Sequence, residues 1–268
     1  MSAPVGAVGT PYEYPVERGK IREFAIAMQS EAPEYFGPGA VSPPTFLTTA
    51  SRWAPEGARL DVGFEQTQIL HGEQEYVFHG PPPRAGTTLY ATERLADRYE
   101  KTGRRGGTMR FAVVVTEFRD AAGALVAESR STLIETARPA AAPAQPGSGP
   151  GPSTTGPSAA ASPATASSAA GPTAASPAAA GTPAVRLAAD APAVGFSPAP
   201  RVFGPLTRQM FVRYAGASGD MNPMHYDEFV ATAAGYPTVF SQGMHQAALL
   251  ATFATDWLGP DNVRRFQV

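Results

Sequence analysis

The stretch Tyr214-Ala-Gly-Ala-Ser-Gly-Asp-Met-Asn-Pro-Met-His-Tyr-Asp227, followed by Gly235-Tyr-Pro-Thr-Val-Phe-Ser-Gln-Gly-Met244, carries the residues best suited to chemistry. Asp220 and His225 lie five residues apart across Asn222-Pro223. That pair breaks helices and favours turns, so both side chains can face one pocket. A carboxylate beside an imidazole keeps a proton donor and a proton acceptor together near neutral pH, which suits general acid–base work. Gly243 opens a helix predicted to run through Ala247, Leu250 and Phe253 to Trp257 and to stop at Gly259-Pro260. Its backbone N–H, unobstructed by a side chain and reinforced by the helix dipole, could steady a developing oxyanion. Ser218 and Asn222 are expected to brace the loop.

Rival readings of these residues fare worse. A lone Asp or His in a loop is usually a capping or solvated residue, so only the ordered set carries weight. A calcium loop built on Asp220, Asn222 and Asp227 fails because Met224 stands where an oxygen ligand belongs, Pro223 lies within the loop and Ala231 replaces the bidentate Glu. His71, His79 and His245 lack metal-ligand spacing, and His245 is expected inside the helix after Gly243. Gly216-Ala-Ser218-Gly219 is not a nucleophile elbow, which needs Gly-x-Ser-x-Gly between strand and helix.

The elements that must hold these groups come in two sets. Ile21, Phe24, Ala25 and Met28 fall at i, i+3, i+4 and i+7, one face of an amphipathic helix. A second helix is expected from Pro44 through Phe46, Leu47 and Ala50 to Trp53. Segments near Gln74–His79, Thr87–Tyr99, Thr108–Arg119 and Ala124–Glu135 read as strands, with Asp120-Ala-Ala-Gly123 as a hairpin turn. Later, Val202–Leu206 suggests a short strand, Thr207 a helix N-cap, and Phe211, Tyr214, Ala215 and Ser218 repeat the one-sided helical spacing. An offset of 223 − 33 = 190 lays Pro33 on Pro223, Pro15 on Pro205, Phe24 on Tyr214, Ala25 on Ala215 and Ala27 on Ala217, as an internal duplication would. Ser30 and Tyr35 then occupy the places of Asp220 and His225, so the first half should be a partner without catalytic groups. Val263–Val268 reads as the first strand of a second sheet, leaving the second unit incomplete; about three strands or more are needed for a stable sheet.

Composition divides the chain. Residues 138–198 are almost exclusively Ala, Pro, Ser, Gly and Thr and hold only Arg138, Arg186 and Asp190 as charges. Such a segment buries too little to offset the entropy of ordering it and reads as an extended linker. The expected organisation is residues 1–137, the linker 138–198, and a partial second unit 199–268. A formal net charge of −2 gives no field to gather nucleic acid or a membrane surface. With no cysteine, disulfides, thiolate metal sites and a Cys nucleophile are excluded. Neither a leader peptide nor a membrane span is legible, which makes a cytoplasmic protein the default.

Ser218-Gly219-Asp220, Asn222-Pro223 and His225-Tyr226-Asp227 resemble the hydratase motif of R-specific enoyl-CoA hydratases and MaoC-like dehydratases, and Gln242-Gly243-Met244 is similar to the segment opening their central helix. Pro43-Pro44-Thr45-Phe46, His71-Gly72-Glu73-Gln74 and Ser129-Arg130-Ser131-Thr132-Leu133 are similar to the non-catalytic N-terminal unit of the same enzymes. Together the halves resemble the two subunits of (3R)-hydroxyacyl-ACP dehydratases on one chain. The resemblance implies an α+β double hot-dog fold, an antiparallel sheet wrapped around a central helix in each unit. It also implies reversible dehydration of a 3-hydroxyacyl thioester on CoA or acyl carrier protein, without a further cofactor. His225 is expected at the α-carbon and Asp220 at the oxygen, an assignment the sequence leaves open, and the first half is expected to shape the acyl tunnel. A second chain completing the C-terminal unit, or a homo-oligomer, is the partner implied. The competing readings are a non-enzymatic acyl-binding or scaffold subunit and a hot-dog thioesterase.

Overall fold

The computed structural model describes residues 2–65, 68–103, 107–136 and 195–268, so the linker expected over 138–198 falls outside the described residues up to 194. The described residues form one compact unit. Within it, six strands make a mixed-length antiparallel sheet that packs against helices, an α+β hot-dog arrangement whose sheet is open.

Strand β1 (Tyr12–Pro15) is followed by helix α1 (Arg18–Ala27) and strands β2 (Ile69–Phe78), β3 (Thr88–Thr102), β4 (Thr108–Arg119) and β5 (Leu125–Glu135). The second half gives helices α2 (Arg208–Ser218), α3 (Glu228–Ala233) and α4 (Gly243–Leu258) and strand β6 (Arg265–Gln267). Neighbouring strands run in the order β1-β3-β4-β5-β2-β6. The four long strands stand where the Val, Thr, Phe and Tyr content put them. At the β4–β5 hairpin, the Asp120 carboxylate accepts from the N–H groups of Ala122 and Ala124 while Gly123 takes a left-handed φ of 84°. Strand β1 has no counterpart among the expected elements; its four residues bury Tyr12 and Tyr14 and are too short to display a period.

Two expectations need correction. The segment after Pro44 is a 3₁₀ helix, Phe46–Arg52, and not an α-helix. Adjacent Thr48 and Thr49 are poor helix formers, and the Thr49 hydroxyl returns a bond to the Phe46 carbonyl at 2.9 Å. Val202–Leu206 is irregular, since Gly204-Pro205 supplies one conformationally loose residue and one without an N–H for a ladder. Thr207 does cap α2, accepting from the Met210 N–H.

The duplication is visible in space. Adding 190 to Arg18–Ala27 gives 208–217, against α2 at Arg208–Ser218, and the 3₁₀ turn Pro33–Tyr35 maps onto the turn Pro223–His225. Helices α1 and α2 pack on one another, with the corresponding rings of Phe24 and Tyr214 in edge contact at 5.7 Å. Corresponding residues touch in this way when two copies of a motif meet across a local twofold axis. Each helix also ends in the same left-handed step, Gln29 at φ 58° and Gly219 at φ 93°.

The main core is shared by the halves: Tyr214, Ala217 and Ala248 join Phe24, Met28, Phe46, Tyr76 and Phe118 in one buried cluster. A third expectation is corrected by strand β6, the second half's strand among the described residues: it pairs antiparallel with β2 and so extends the first half's sheet instead of opening a second one. Helix α4 is tied to the first half by the Thr252 hydroxyl donating to the Met28 carbonyl at 2.9 Å.

Candidate active site

Helix α2 ends at Ser218, and Gly219 turns the chain into the loop that carries Asp220. A side chain at Gly219 would be doubly opposed, by its φ and by the Arg52 side chain, whose Nε would lie 2.6 Å from a Cβ. Arg52 is anchored there by donating to the Gly216 carbonyl at 2.9 Å, so the first half helps to shape the loop. The buried Ser218 hydroxyl donates to the Tyr214 carbonyl and accepts from the Asp220 N–H. The Asn222 N–H donates to Asp220 Oδ1 at 3.3 Å, and the Asn222 amide oxygen caps the turn that bears His225 by accepting from Met224 N–H. Ser218 and Asn222 thus touch backbone on both sides of Asp220.

His225 is buried, its ring set edge-on against Phe240 at 5.0 Å. Its Nδ1 lies 2.9 Å from the Phe240 carbonyl. A carbonyl only accepts, so Nδ1 carries a proton, and whenever the ring is neutral its Nε2 presents a lone pair. That Nε2 faces Asp220 Oδ2 at 3.8 Å. The gap is too wide for a direct hydrogen bond, and an oxygen set to one side of it could reach both atoms. Two acceptors separated in this way can take the two hydrogens of one water.

Phe240 is also three residues before Gly243, so the bond that orients His225 ties it to the start of α4. The Gly243 backbone is exposed, and a Cβ there would meet nothing within 4 Å. The first N–H groups of a helix have no partner within it, so this open end can receive an acceptor. The expected residues Asp220, His225, Ser218 and Asn222 are therefore drawn together beside the open helix start at Gly243. His245 lies inside α4, fully buried between Phe211 and Tyr214, with Nδ1 3.0 Å from the Ser241 hydroxyl.

At the duplicated position, Ser30 and Tyr35 have another task. The Ser30 hydroxyl accepts from the Ala32 N–H, copying the Asp220 turn, and donates toward Asp256, while the Tyr35 hydroxyl donates to Thr255 at 3.3 Å. Both partners lie on α4, so the site that lacks acid and imidazole is used to dock the halves.

His71, near the start of β2, lies 3.1 Å from Gln74 Oε1, and burial pushes its imidazole below the ordinary value.

Each half of the chain matches a known family model. Residues 3–129 match the model of a FAS1-like dehydratase domain region, and residues 191–268 that of the MaoC-like domain. The chain belongs to the family of the UPF0336 proteins, with a FAS1-like dehydratase domain region in its first half and a MaoC-like domain in its second. A UPF0336 protein of Saccharopolyspora erythraea is 30% identical over 132 residues, covering 45% of this chain and 81% of that protein. Another from Mycobacterium leprae is 31% identical over 132 residues, 44% of this chain and 75% of its own. Among solved structures, a MaoC-like dehydratase superposes with a TM-score of 0.65 at 22% identity, over 98% of this chain and 81% of that one. A MaoC-like dehydratase from Phytophthora capsici gives 0.57 at 16% identity, over 93% and 74%. These two likenesses speak to fold. Within the MaoC-like family fold, no helix among the described residues is long and apolar enough to cross a membrane.

Proposed function

We propose that this MaoC-like protein is a hydro-lyase that reversibly dehydrates (3R)-3-hydroxyacyl thioesters to trans-2-enoyl thioesters in the fatty acid metabolism of the cytoplasm. The observation that carries the reading is the 3.8 Å gap between His225 Nε2 and Asp220 Oδ2 beside the open start of α4. In the hydration direction, a water held between the two acceptors adds its oxygen to the β-carbon and gives up a proton to the pair. The α-carbon takes a proton from the same pair, with His225 the group we assign there and Asp220 the one that holds the oxygen. Charge developing on the thioester oxygen is met by the Gly243 N–H and the α4 dipole. No step calls for a cofactor beyond the CoA or acyl carrier protein that bears the acyl group, and the aromatic residues of the first half would line the acyl chain's path.

The reading is tested by offering crotonyl-CoA and longer 2-enoyl-CoA substrates to the purified full chain and following loss of the enoyl absorbance. Hydration should occur and should vanish in Asp220→Asn and His225→Ala. A folded wild-type chain that hydrates none of them, alone or with added partners, sinks it. A partner is part of the proposal because β6 pairs with β2 alone among the described strands and Leu250 and Leu258 of α4 are exposed. Further strands, from another chain or a second copy, would cover that face, and mass measurement of the native assembly would reveal them.

A further inference from the structure

The duplicated helices α1 and α2 reach the same left-handed step but close it with different hydrogen bonds. At the end of α1, the Ser30 N–H donates to the Ala25 carbonyl at 2.9 Å and the Gln29 N–H to the Ile26 carbonyl at 3.2 Å. That pair of bonds is a Schellman cap, which satisfies two end carbonyls from the chain's own backbone. At the end of α2 the corresponding groups part company. The Gly219 N–H donates to the Ala215 carbonyl at 2.9 Å, and the Asp220 N–H, counterpart of that of Ser30, goes to the Ser218 hydroxyl at 3.2 Å. The Gly216 carbonyl, counterpart of that of Ile26, is taken by the Arg52 guanidinium at 2.9 Å.

Arg52 reaches across from a stiff support. It ends the 3₁₀ helix Phe46–Arg52, in which Leu47, Thr49 and Ala50 are buried and the Thr49 hydroxyl bonds the Phe46 carbonyl at 2.9 Å and the Tyr14 hydroxyl at 2.6 Å. Its Cγ, Cδ and Nε lie over Gly219, 2.6 to 2.9 Å from where a Cβ would stand, so the stem covers the turn while the guanidinium holds the carbonyl. A cation at the last carbonyls of a helix is also favoured by the helix dipole. A Schellman closure here would draw the Asp220 N–H back to Ala215 and its carboxylate away from His225. The open cap instead leaves Asp220 Oδ2 facing His225 Nε2 at 3.8 Å. The first copy, whose Ser30 serves docking, closes on its own backbone.

We infer that Arg52 is a positioning residue of the Asp220–His225 centre: by holding the Gly216 carbonyl it keeps the end of α2 open, and the open end sets Asp220 toward His225. It acts through the backbone of the loop. The role in turnover rests on the hydration reading; the effect on the loop does not. The half without acid–base groups of its own thus sets the geometry of the other half's pair.

Amide hydrogen exchange in the full chain reads the loop without any substrate, and the Ser30 N–H of the closed copy is the internal reference. Arg52→Ala should let the end of α2 close and so slow exchange of the Asp220 N–H about fivefold or more, toward the behaviour of Ser30. Arg52→Lys, which keeps a donor for the Gly216 carbonyl, should leave that amide as in the wild type. General loosening would speed the amide, so a faster or unchanged Asp220 N–H in Arg52→Ala overturns the inference whatever the turnover. In kinetics, Arg52→Ala should lower kcat about tenfold to a hundredfold with KM changed far less, and Arg52→Lys should recover most of it. Arg52→Ala with wild-type kcat overturns the role in turnover. A slowed Asp220 amide in Arg52→Ala, when the wild-type chain hydrates no enoyl-CoA, upholds the positioning and rejects the reaction instead.

Discussion

At the scale of single residues, the site is a set of constrained acceptors. Oδ1 of Asp220 is engaged by the Asn222 N–H, leaving Oδ2 to face His225, whose other nitrogen is held by Phe240. On the proposed reaction, removing either Asp220 or His225 should cut enoyl-CoA hydration about a hundredfold to ten-thousandfold. Because Asp220 is half-exposed, Asp220→Asn should leave the unfolding midpoint nearly unchanged, and steady-state kinetics beside a urea titration checks both. His245 offers a contrasting prediction. Burial pushes its imidazole below the ordinary value, with the backbone at Ala27 acting weakly the other way. The unfolded chain then binds the proton that the folded chain refuses, so stability is full above about pH 6.5 and is lost as pH falls through that value toward the folded one. His245→Asn should flatten the fall in Tm between about pH 7 and 5; an unchanged slope assigns that fall to other groups.

At the scale of elements, the acid and imidazole were legible because they sit in one uninterrupted loop whose turn residues announce themselves. The docking of Ser30 and Tyr35 onto α4 was not, because it joins side chains 226 and 220 positions apart. Likewise the amphipathic spacing of α1 and α2 was readable, whereas the tightening of Phe46–Arg52 into 3₁₀ geometry depends on where the Thr49 hydroxyl finds its acceptor. The paired left-handed caps make this scale testable. Gln29→Gly removes both a strained φ of 58° and a buried amide nitrogen without a partner, and should stabilise the fold by about 0.5 to 1 kcal/mol in denaturant unfolding. Gly219→Ala should destabilise by about 1 to 3 kcal/mol, since it meets both its own φ and Arg52. Adding Arg52→Ala relieves the clash and leaves the φ, so the double variant should recover only part of the loss.

At the scale of the whole molecule, the halves are joined through corresponding pieces: Phe24 against Tyr214, the vacant-site residues Ser30 and Tyr35 against α4, and β6 against β2. Ion pairs at the rim, Arg84 with Asp261 and Arg201 with Asp256, add little individually because they are partly solvated. The shared apolar cluster is what binds the halves, since Tyr214 and Ala248 complete a core that Phe24, Phe46 and Tyr76 begin. A fold with one core should melt once, even though the sequence divides into two units. The two tryptophans are placed to decide this, Trp53 in the first half and Trp257 in the second. Trp53→Phe and Trp257→Phe, each leaving one reporter, should give coincident urea transitions by fluorescence. Tyr214→Ala should then lower both midpoints together, by about 3 to 5 kcal/mol of stability, because truncating a buried ring at the seam empties the core that both reporters share. A Trp53 signal that keeps its midpoint while the Trp257 signal moves would mean that the first half stands without the second, and the loop bearing Asp220 would lose the Arg52 side chain now brought to it from across the seam.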